Sequence, residues 1–421
     1  MSFLLLFLCL FLLILLGIPL YISILFSCIG YILLRGDIAV GLIIQQLYSG
    51  IDKYSLLAIP LYILAGNLIC CSKIGERIVS FLKVLLSPFY GGAGIVTVLS
   101  ALFFSLISGS APATVLTVGK LMRESMYSSG YSKNFTLGLI ISTGSLGIVI
   151  PPSIFLIVYG VVTNTSIKEL FIYGAYTGFI FGSVFLISTI FYAWFNNIKS
   201  DREISANKFY KELKNGFLAL LLPFIVILGI STGITSPTEA GIAILVYGLF
   251  LGFFVYKDLT IKRLSKIVLD SVKTTSQIMI IMTSASLLGW LLAESNYLDV
   301  VHEFFLGFES NVIPLILINI LFLSLGMIID ITSLAVILSS VIMVISAATN
   351  IPLIAIGAIM AINGAIGMYT PPFGLSLFVA KEIGALNYEQ TVKLLFPFYA
   401  ISLFALILVN ILVNILVINM V

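Results

Sequence analysis

Long apolar segments separated by short polar ones make up most of the chain. Residues 2–34, 84–119 and 134–167 contain no charged side chain, and residues 310–380 contain only Asp330. An α-helix needs about 20 consecutive apolar residues to cross the hydrocarbon core of a bilayer. The pattern therefore predicts an all-α polytopic membrane protein, because runs of this length do not fit the alternating strands of a transmembrane barrel.

The first apolar segment, residues 2–34, is expected to be a retained transmembrane helix. No Lys or Arg precedes it, and no small-residue cleavage site follows the apolar stretch. The segment therefore differs from a secretory signal peptide. Gly17 and Pro19 are expected to kink this helix.

Ten of the 21 basic residues fall in two clusters, at residues 199–214 and 257–273. Two apolar segments lie between them, so two spans return the chain to the same side of the membrane. The positive-inside rule makes that side cytoplasmic. The chain is thus expected to have three parts: a first half (1–195), a cytoplasmic basic linker (196–215) and a second half (216–421).

Each half contains an apolar segment interrupted by two adjacent prolines. The first reads ISTGSLGIVIPPSIFLIVYG (141–160) and the second reads AINGAIGMYTPPFGLSLFV (361–379). The matching positions are Gly144 with Gly364, Gly147 with Gly367, and Pro151-Pro152 with Pro371-Pro372. An earlier interruption recurs at similar spacing, since Gly109 precedes Pro151 by 42 residues and Asp330 precedes Pro371 by 41. The chain therefore contains an internal repeat.

The repeat predicts a re-entrant hairpin and a broken transmembrane helix in each half, that is, two inverted structural repeats. Irregular backbone at membrane depth is tolerated only inside protein or beside a wet cavity. Paired Gly/Pro interruptions in two halves are typical of a transporter binding site. The expected elements are hairpin 1 near 95–126 with its tip at 108–114, a broken helix near 134–160, hairpin 2 near 312–348 with its tip at 326–333, a broken helix near 352–380 and a C-terminal helix.

These interruptions suit ion binding. Glycine permits close backbone approach, and proline leaves preceding carbonyl groups without a helical donor, so they are free to coordinate a cation. Half-helix N-termini at the breaks would present positive dipole ends to an anion. The alternative is that Gly and Pro merely kink packed helices.

Single polar residues in these segments allow two interpretations. Asp330 could bind a cation, contact substrate or gate by protonation, or it could cap the helix that begins with DITS. The hydroxyl groups could bind ligands or only bond to nearby backbone; they belong to Ser108, Ser110, Thr114, Thr332, Ser333 and Thr370.

Two other polar residues are expected to be structural. Glu239 follows TSPT (235–238) and should lie in the first turn of a helix begun by Ser236 or Thr238. His302, the only histidine, is expected in a solvated polar loop rather than a metal site.

Composition and motifs exclude other classes. The chain is 60% hydrophobic and 9% charged, with a mean hydropathy of +1.20 and a net charge of +3, which gives no reason to expect a nucleic-acid partner. It has no G-x-x-x-x-G-K-[ST] and no H-E-x-x-H sequence, and Asp330 lacks the second membrane aspartate of an intramembrane protease. We therefore expect a secondary transporter and not an enzyme; the alternative is a structural or pore-forming membrane subunit without its own ion-coupled site.

Five stretches resemble the large membrane subunit of TRAP (tripartite ATP-independent periplasmic) transporters. They are AIPLYILAGNLI (58–69), SLISGSAPATVLTVGKLM (105–122), GYSKNFTLGLIISTGSLGIVIPPSIFLIVYG (130–160), GITSPTEAG (233–241) and GAIGMYTPPFGLSLFVA (364–380). The resemblance runs from the first helix to the last. It implies a bacterial inner-membrane transporter that takes up small organic anions, carboxylates such as C4-dicarboxylates or sialic acid, with a sodium gradient.

The resemblance also implies an architecture and partners. The fold has a scaffold and an elevator-type transport domain that contains two hairpins and two broken helices. A periplasmic substrate-binding protein delivers the anion. A small four-helix membrane subunit is expected as a separate chain, because this chain begins with the first helix of the large subunit. Sodium ions are the coupling ions, with no further cofactor and no transition metal.

The sodium sites of the family, carried over to this sequence, use the hairpin tips and the breaks. The first site would comprise Ser108, Gly109, Ser110, Gly147 and Ile150, and the second Gly326, Gly367, Thr370 and Phe373. Thr114, Asp330 and Thr332 are expected to contact substrate or gate access. One departure is Ser333, where many members have proline after the threonine of the second tip, which would loosen that tip.

Overall fold

A computed structural model describes residues 2–36, 38–86, 88–199, 206–295, 297–384 and 387–418, and most of these residues are helical. These residues form 20 α-helices and contain no β-strand, which confirms the all-α prediction. The helices are α1 (Ser2–Leu15), α2 (Leu20–Arg35), α3 (Val40–Ser49), α4 (Ala58–Cys70), α5 (Lys73–Leu86), α6 (Gly92–Ser108), α7 (Ala111–Ser128), α8 (Lys133–Gly144), α9 (Ile154–Val162), α10 (Ile167–Phe195), α11 (Ala206–Ser231), α12 (Pro237–Phe250), α13 (Ile261–Ala293), α14 (Tyr297–Leu306), α15 (Val312–Gly326), α16 (Ile331–Ile337), α17 (Ser339–Thr349), α18 (Leu353–Gly367), α19 (Leu375–Gly384) and α20 (Tyr388–Ile418). Short 3₁₀ segments cover Tyr54–Leu57 and Ser145–Ile148, and a π-helical turn covers Leu251–Val255.

Several helices are long and apolar enough to cross a bilayer. Five described helices pass this test, and two further pairs pass it together although they bend at a break. One pair, Val40–Ser49 with Tyr54–Cys70, bends by 52°, and the other, Ile331–Ile337 with Ser339–Thr349, bends by 70°. The protein is therefore a multi-pass membrane protein, as the apolar pattern predicted.

The N-terminal segment differs from the expected single kinked helix. Residues 2–34 form two helices, α1 and α2, that pack against each other. Gly17 adopts φ +77°, and the Ile18 amide donates to the Leu13 carbonyl at 3.1 Å, which closes the first helix. Because the left-handed glycine is followed by Pro19, which has no amide hydrogen, the chain ends one helix and begins another.

Two helices that are long and apolar enough to cross a bilayer connect the two basic clusters, although Lys211 and Lys214 of the first cluster lie within the first of these helices. The apolar stretches of α11 and α12 run over Phe209–Ser231 and Pro237–Val255. However, α11 begins at Ala206, so part of the expected linker is helical, while residues 200–205 lie outside the described part of the chain.

The helix after TSPT begins as predicted. The Ser236 hydroxyl accepts from the Glu239 amide at 3.3 Å, and the Glu239 carboxylate accepts from the Ser236 amide at 2.7 Å. This capping box confirms the structural role of Glu239. The prediction for His302 was wrong, because this residue lies in helix α14 rather than in a loop.

The first interrupted segment is buried, whereas the second is partly exposed at Pro372 and Phe373. In the first half α6 and α7 pack on each other, and α8 and α9 flank a break at residues 149–153. In the second half α15 packs on α18, and α18 and α19 flank a break at residues 368–374. The halves interlock, because α7 contacts α19 and α9 contacts α16.

Candidate functional site

The tip of the first hairpin lies directly on the first break. A Cβ atom placed on Gly147 would lie 2.6 Å from the Ser110 carbonyl oxygen and 2.9 Å from the Ala111 nitrogen. The backbone of the break also packs closely on Gly109, which adopts φ +59°, since a Cβ there would overlap the Pro152 carbonyl oxygen. Only glycine allows backbone from the hairpin and backbone from the break to approach so closely.

Hydroxyl groups stabilise this tip from within. The Ser108 and Thr114 hydroxyl oxygens lie 2.8 Å apart, and the Thr114 hydroxyl donates to the Ser110 carbonyl at 2.9 Å. Ser108 and Thr114 are both buried. The Ser110 carbonyl oxygen thus faces Gly147 while local bonds hold it in place. Of the two interpretations of these hydroxyls, local bonding is the one that the contacts show.

The second half repeats the contact between a carbonyl group and a glycine. A Cβ atom on Gly367 would lie 2.6 Å from the Gly326 carbonyl oxygen. Near it the Phe373 amide donates to the Met327 carbonyl at 3.2 Å, which joins the tip to the break. The structure therefore brings together Gly326, Gly367 and the backbone of Phe373.

These contacts define how the two halves correspond. Gly144 packs on Val115 and Gly364 packs on Ile331, and each partner lies five residues after the carbonyl group that faces the next glycine. The counterpart of Ser110 is therefore Gly326, whereas the spacing to the prolines had matched Gly109 with Asp330. The predicted match of Gly144 with Gly364 and of Gly147 with Gly367 agrees with these contacts.

The side chains of three residues in the expected sites are not available as ligands. The Ile150 side chain is buried against Gly178 of α10. The Phe373 side chain is exposed, and the Thr370 hydroxyl donates to the Ile366 carbonyl of its own helix at 2.6 Å. Any ligand role of Ile150 and Phe373 would therefore fall to their carbonyl groups.

Two tyrosines of α20 hold the second break, and the sequence analysis missed both. The Tyr399 hydroxyl donates to the Tyr369 carbonyl and the Tyr388 hydroxyl donates to the Pro372 carbonyl, each at 2.9 Å. The Tyr369 and Tyr399 rings stack with centroids 5.7 Å apart. The two tyrosine hydroxyls of the C-terminal helix were the available signal, but their partners are not visible from sequence.

The two breaks are neighbours. The hydroxyl oxygens of Ser145, at the start of the first interruption, and Ser376, just after the second, lie 3.4 Å apart, and both residues are fully buried. The Tyr159 hydroxyl of α9 donates to the Leu353 carbonyl of α18 at 2.7 Å. The two interrupted segments therefore adjoin each other.

Asp330 caps a helix. Its Oδ2 accepts from the Thr332 amide at 3.0 Å and from the Ser333 amide at 3.2 Å, at the N-terminus of α16. Thr332 is half-buried beside it. Asp330 is also the only charged residue in the two tips and the two breaks. The cap is thus shown, and a transport role is compatible with it.

The cap makes a prediction about stability. Replacing a capping Asp by Ala costs about 1 kcal/mol, whereas Asn caps about equally well. We therefore expect Asp330→Ala to lower the free energy of unfolding by about 1 kcal/mol and Asp330→Asn to leave it unchanged, measured by denaturant unfolding of the purified protein in detergent. Equal losses in both variants would show that the negative charge, and not the cap, stabilises this tip.

Fold and site together define a class: polytopic α-helical membrane proteins in which two hairpin tips meet two interrupted helices. The chain matches the family described as "Tripartite ATP-independent periplasmic transporter, DctM component" over residues 7–415. It therefore belongs to this family of TRAP transporter large permeases, which confirms the resemblance seen in the motifs.

Relatives in the family span almost the same length. The sialic acid TRAP transporter large permease protein SiaM of Vibrio cholerae is 32% identical, over 90% of each chain. The C4-dicarboxylate TRAP transporter large permease protein DctM of the same species is 32% identical, over 94% of this chain and 92% of the relative. The 2,3-diketo-L-gulonate TRAP transporter large permease protein YiaN of Escherichia coli is 33% identical, over 88% and 87%.

A solved structure shares the fold. The YdaH transporter of Alcanivorax borkumensis aligns with a TM-score of 0.56, covering 88% of this chain and 86% of its own, at 15% identity. At that identity the likeness concerns the fold alone.

Proposed function

We propose that this permease takes up a small organic anion across the bacterial inner membrane, coupled to the entry of sodium ions. The observation that carries the proposal is the pair of matching contacts, Ser110 carbonyl on Gly147 and Gly326 carbonyl on Gly367. Each places a backbone carbonyl oxygen against an interrupted helix of a membrane protein, where irregular backbone is tolerated only inside protein or beside a wet cavity. Hard cations such as sodium prefer oxygen ligands of this kind.

The two cation sites would form at these contacts. The first would use oxygens of Ser108, Gly109, Ser110, Gly147 and Ile150. The second would use oxygens of Gly326, Gly367, Thr370 and Phe373. The equal geometry of the two contacts supports equivalent roles for the two sites.

The substrate is proposed to be a carboxylate, such as a C4-dicarboxylate or sialic acid. The relatives are named for sialic acid, C4-dicarboxylates and 2,3-diketo-L-gulonate, which are all organic acids. The tips and breaks carry no Lys or Arg. The N-terminal ends of α7 and α9, which begin at the tip and the break, can attract an anion in their place. Thr114, Asp330 and Thr332 are the proposed contacts or gates for this substrate.

The proposed movement is of the elevator type. The contacts of α7 with α19 and of α9 with α16, together with the Ser145–Ser376 pair, tie both hairpins and both broken helices into one unit. Such a unit can move as a body relative to the remaining helices and expose its site on alternate sides. The order hairpin then broken helix, present in both halves, supports an internal repeat, which we propose to be inverted in the membrane.

The proposed partners are a periplasmic binding protein and a separate small four-helix membrane subunit. The test is reconstitution of the permease in liposomes with and without the two partners, with uptake of radiolabelled sialic acid and of a labelled C4-dicarboxylate as the readout. We expect saturable uptake of one of them only when all three proteins are present. Partner-independent, non-saturable anion flux through the permease alone would instead favour a pore-forming subunit.

A further inference from the structure

Three asparagines from three helices form a hydrogen-bonded cluster inside the second half. Asn363 of α18 donates to the Asn319 amide oxygen of α15 at 2.8 Å. Asn319 in turn donates to the Asn410 amide oxygen of α20 at 2.7 Å. Three amide side chains at one place are unusual in segments of this hydropathy, because polar groups at membrane depth are unfavourable unless they are paired or functional.

One oxygen of the cluster is left without a partner. Asn363 is fully buried, and its Oδ1 is among the buried polar atoms that accept no hydrogen bond in the described part of the chain. Its Nδ2, by contrast, is fully used, since it also donates to the Ile359 carbonyl at 2.9 Å. Exchanging the two amide atoms would lose both of these bonds, so the free atom is the oxygen.

Asn363 lies at the interface between α15 and α18, which also contains the contact between Gly326 and Gly367. Asn363 lies one helical turn before Gly367, and Asn319 lies two turns before Gly326, so each pair shares a helix face. Nδ2 is turned back towards the Ile359 carbonyl, and the forked amide therefore directs Oδ1 away from that carbonyl group. A Cβ on Gly326 would have the Asn363 backbone oxygen, at 4.0 Å, as its nearest neighbour.

The matching position in the first half provides a comparison for the unpartnered oxygen of Asn363. Thr143 occupies the position that matches Asn363, one turn before Gly147, and is also fully buried. Its hydroxyl donates to the Leu139 carbonyl at 2.6 Å, so it is satisfied within its own helix. At this matched position, therefore, the side-chain oxygen is unpartnered in the second half and bonded in the first.

We propose that the amide oxygen of Asn363 is an additional ligand of the cation bound at the second break, held in place by Asn319 and Asn410. The inference rests on the proposed function, because it assigns a further ligand to one of the two sodium sites. A buried oxygen without a donor is a suitable ligand for a desolvated cation, and cation binding would satisfy it. A role in packing alone would instead depend on the two hydrogen bonds that Nδ2 donates.

Two substitutions at Asn363 separate these roles. Asn363→Leu removes both the oxygen and the donor, whereas Asn363→Asp keeps an oxygen and removes the donor. We expect Asn363→Leu to raise the sodium concentration for half-maximal uptake by at least about tenfold, since each tenfold is about 1.4 kcal/mol. We expect Asn363→Asp to keep a half-maximal concentration equal to or below that of the wild-type protein. Thr143→Val, the matched control, should leave it unchanged.

A second measurement does not depend on transport. Ligand binding raises the melting temperature of the protein that binds it, so NaCl should stabilise the purified wild-type permease and Asn363→Asp more than equal choline chloride does. Asn363→Leu should lose a large part of this difference. Equal losses in Asn363→Leu and Asn363→Asp, or wild-type sodium dependence in Asn363→Leu, would overturn the ligand role. If wild-type uptake itself ignores sodium, the proposed function fails instead.

Discussion

Adding a single methyl group at Gly147 or at Gly367 should raise the sodium concentration for half-maximal uptake by at least about tenfold. In each case the new Cβ would lie 2.6 Å from a backbone carbonyl oxygen, that of Ser110 or that of Gly326. Backbone cannot yield as a flexible side chain can, so the tip must move away from the break. Losing a contact to a charged group weakens binding by about 1.5–3 kcal/mol, which is about tenfold or more.

The chain offers a matched control for this substitution. Gly326 belongs to the same contact as Gly367, but a Cβ placed on it would meet nothing closer than 4.0 Å. Gly326→Ala keeps the carbonyl oxygen and should therefore retain wild-type sodium dependence, while Gly367→Ala should not. Sodium titrations of uptake for the three alanine variants, at equal amounts of inserted protein, give the comparison.

The outcome also decides whether both breaks bind ions. A shift in both Gly147→Ala and Gly367→Ala supports two sites with equivalent roles. A well-inserted Gly147→Ala or Gly367→Ala protein with unchanged sodium dependence would show that its break is only a packing feature.

Local signals in the sequence located the main elements of the site. Two Pro pairs, each preceded by two spaced glycines, marked the breaks. Proline disrupts the interior of a helix, so its position in the sequence indicates where the helix is interrupted. The capping box at Ser236 and Glu239 was similarly local. The membrane class followed from the length of the apolar runs, which depends on bilayer thickness and not on tertiary contacts.

Other features depend on contacts that a single sequence does not display. Tyr388 and Tyr399 bond to carbonyl groups 16 and 30 residues earlier in the chain, and the Asn319–Asn410 pair spans 91 residues. The N-terminal error has a different cause. Residues 2–34 carry no charged side chain, and no polar residue lies at the end of α1, so the sequence favours a kink at Gly17 over a break between two helices.

Replacing sodium should have the largest effect of any change to the conditions. If cations occupy the two tip contacts, they neutralise partial negative charge on converging carbonyl oxygens and hold both tips against the breaks. The anion would then bind to an ordered, electropositive region formed by the half-helix N-termini and the bound ions. Choline is too large for sites built of closely packed backbone, so we expect that it will not replace sodium.

The measurement that tests this account most directly is uptake into proteoliposomes that contain the permease and its two partners, without ATP. An inward sodium gradient is compared with an equal gradient of choline chloride. The account predicts accumulation of the anion with sodium and, with choline, only the level seen in liposomes that lack the permease. Equal accumulation in the two gradients would contradict it.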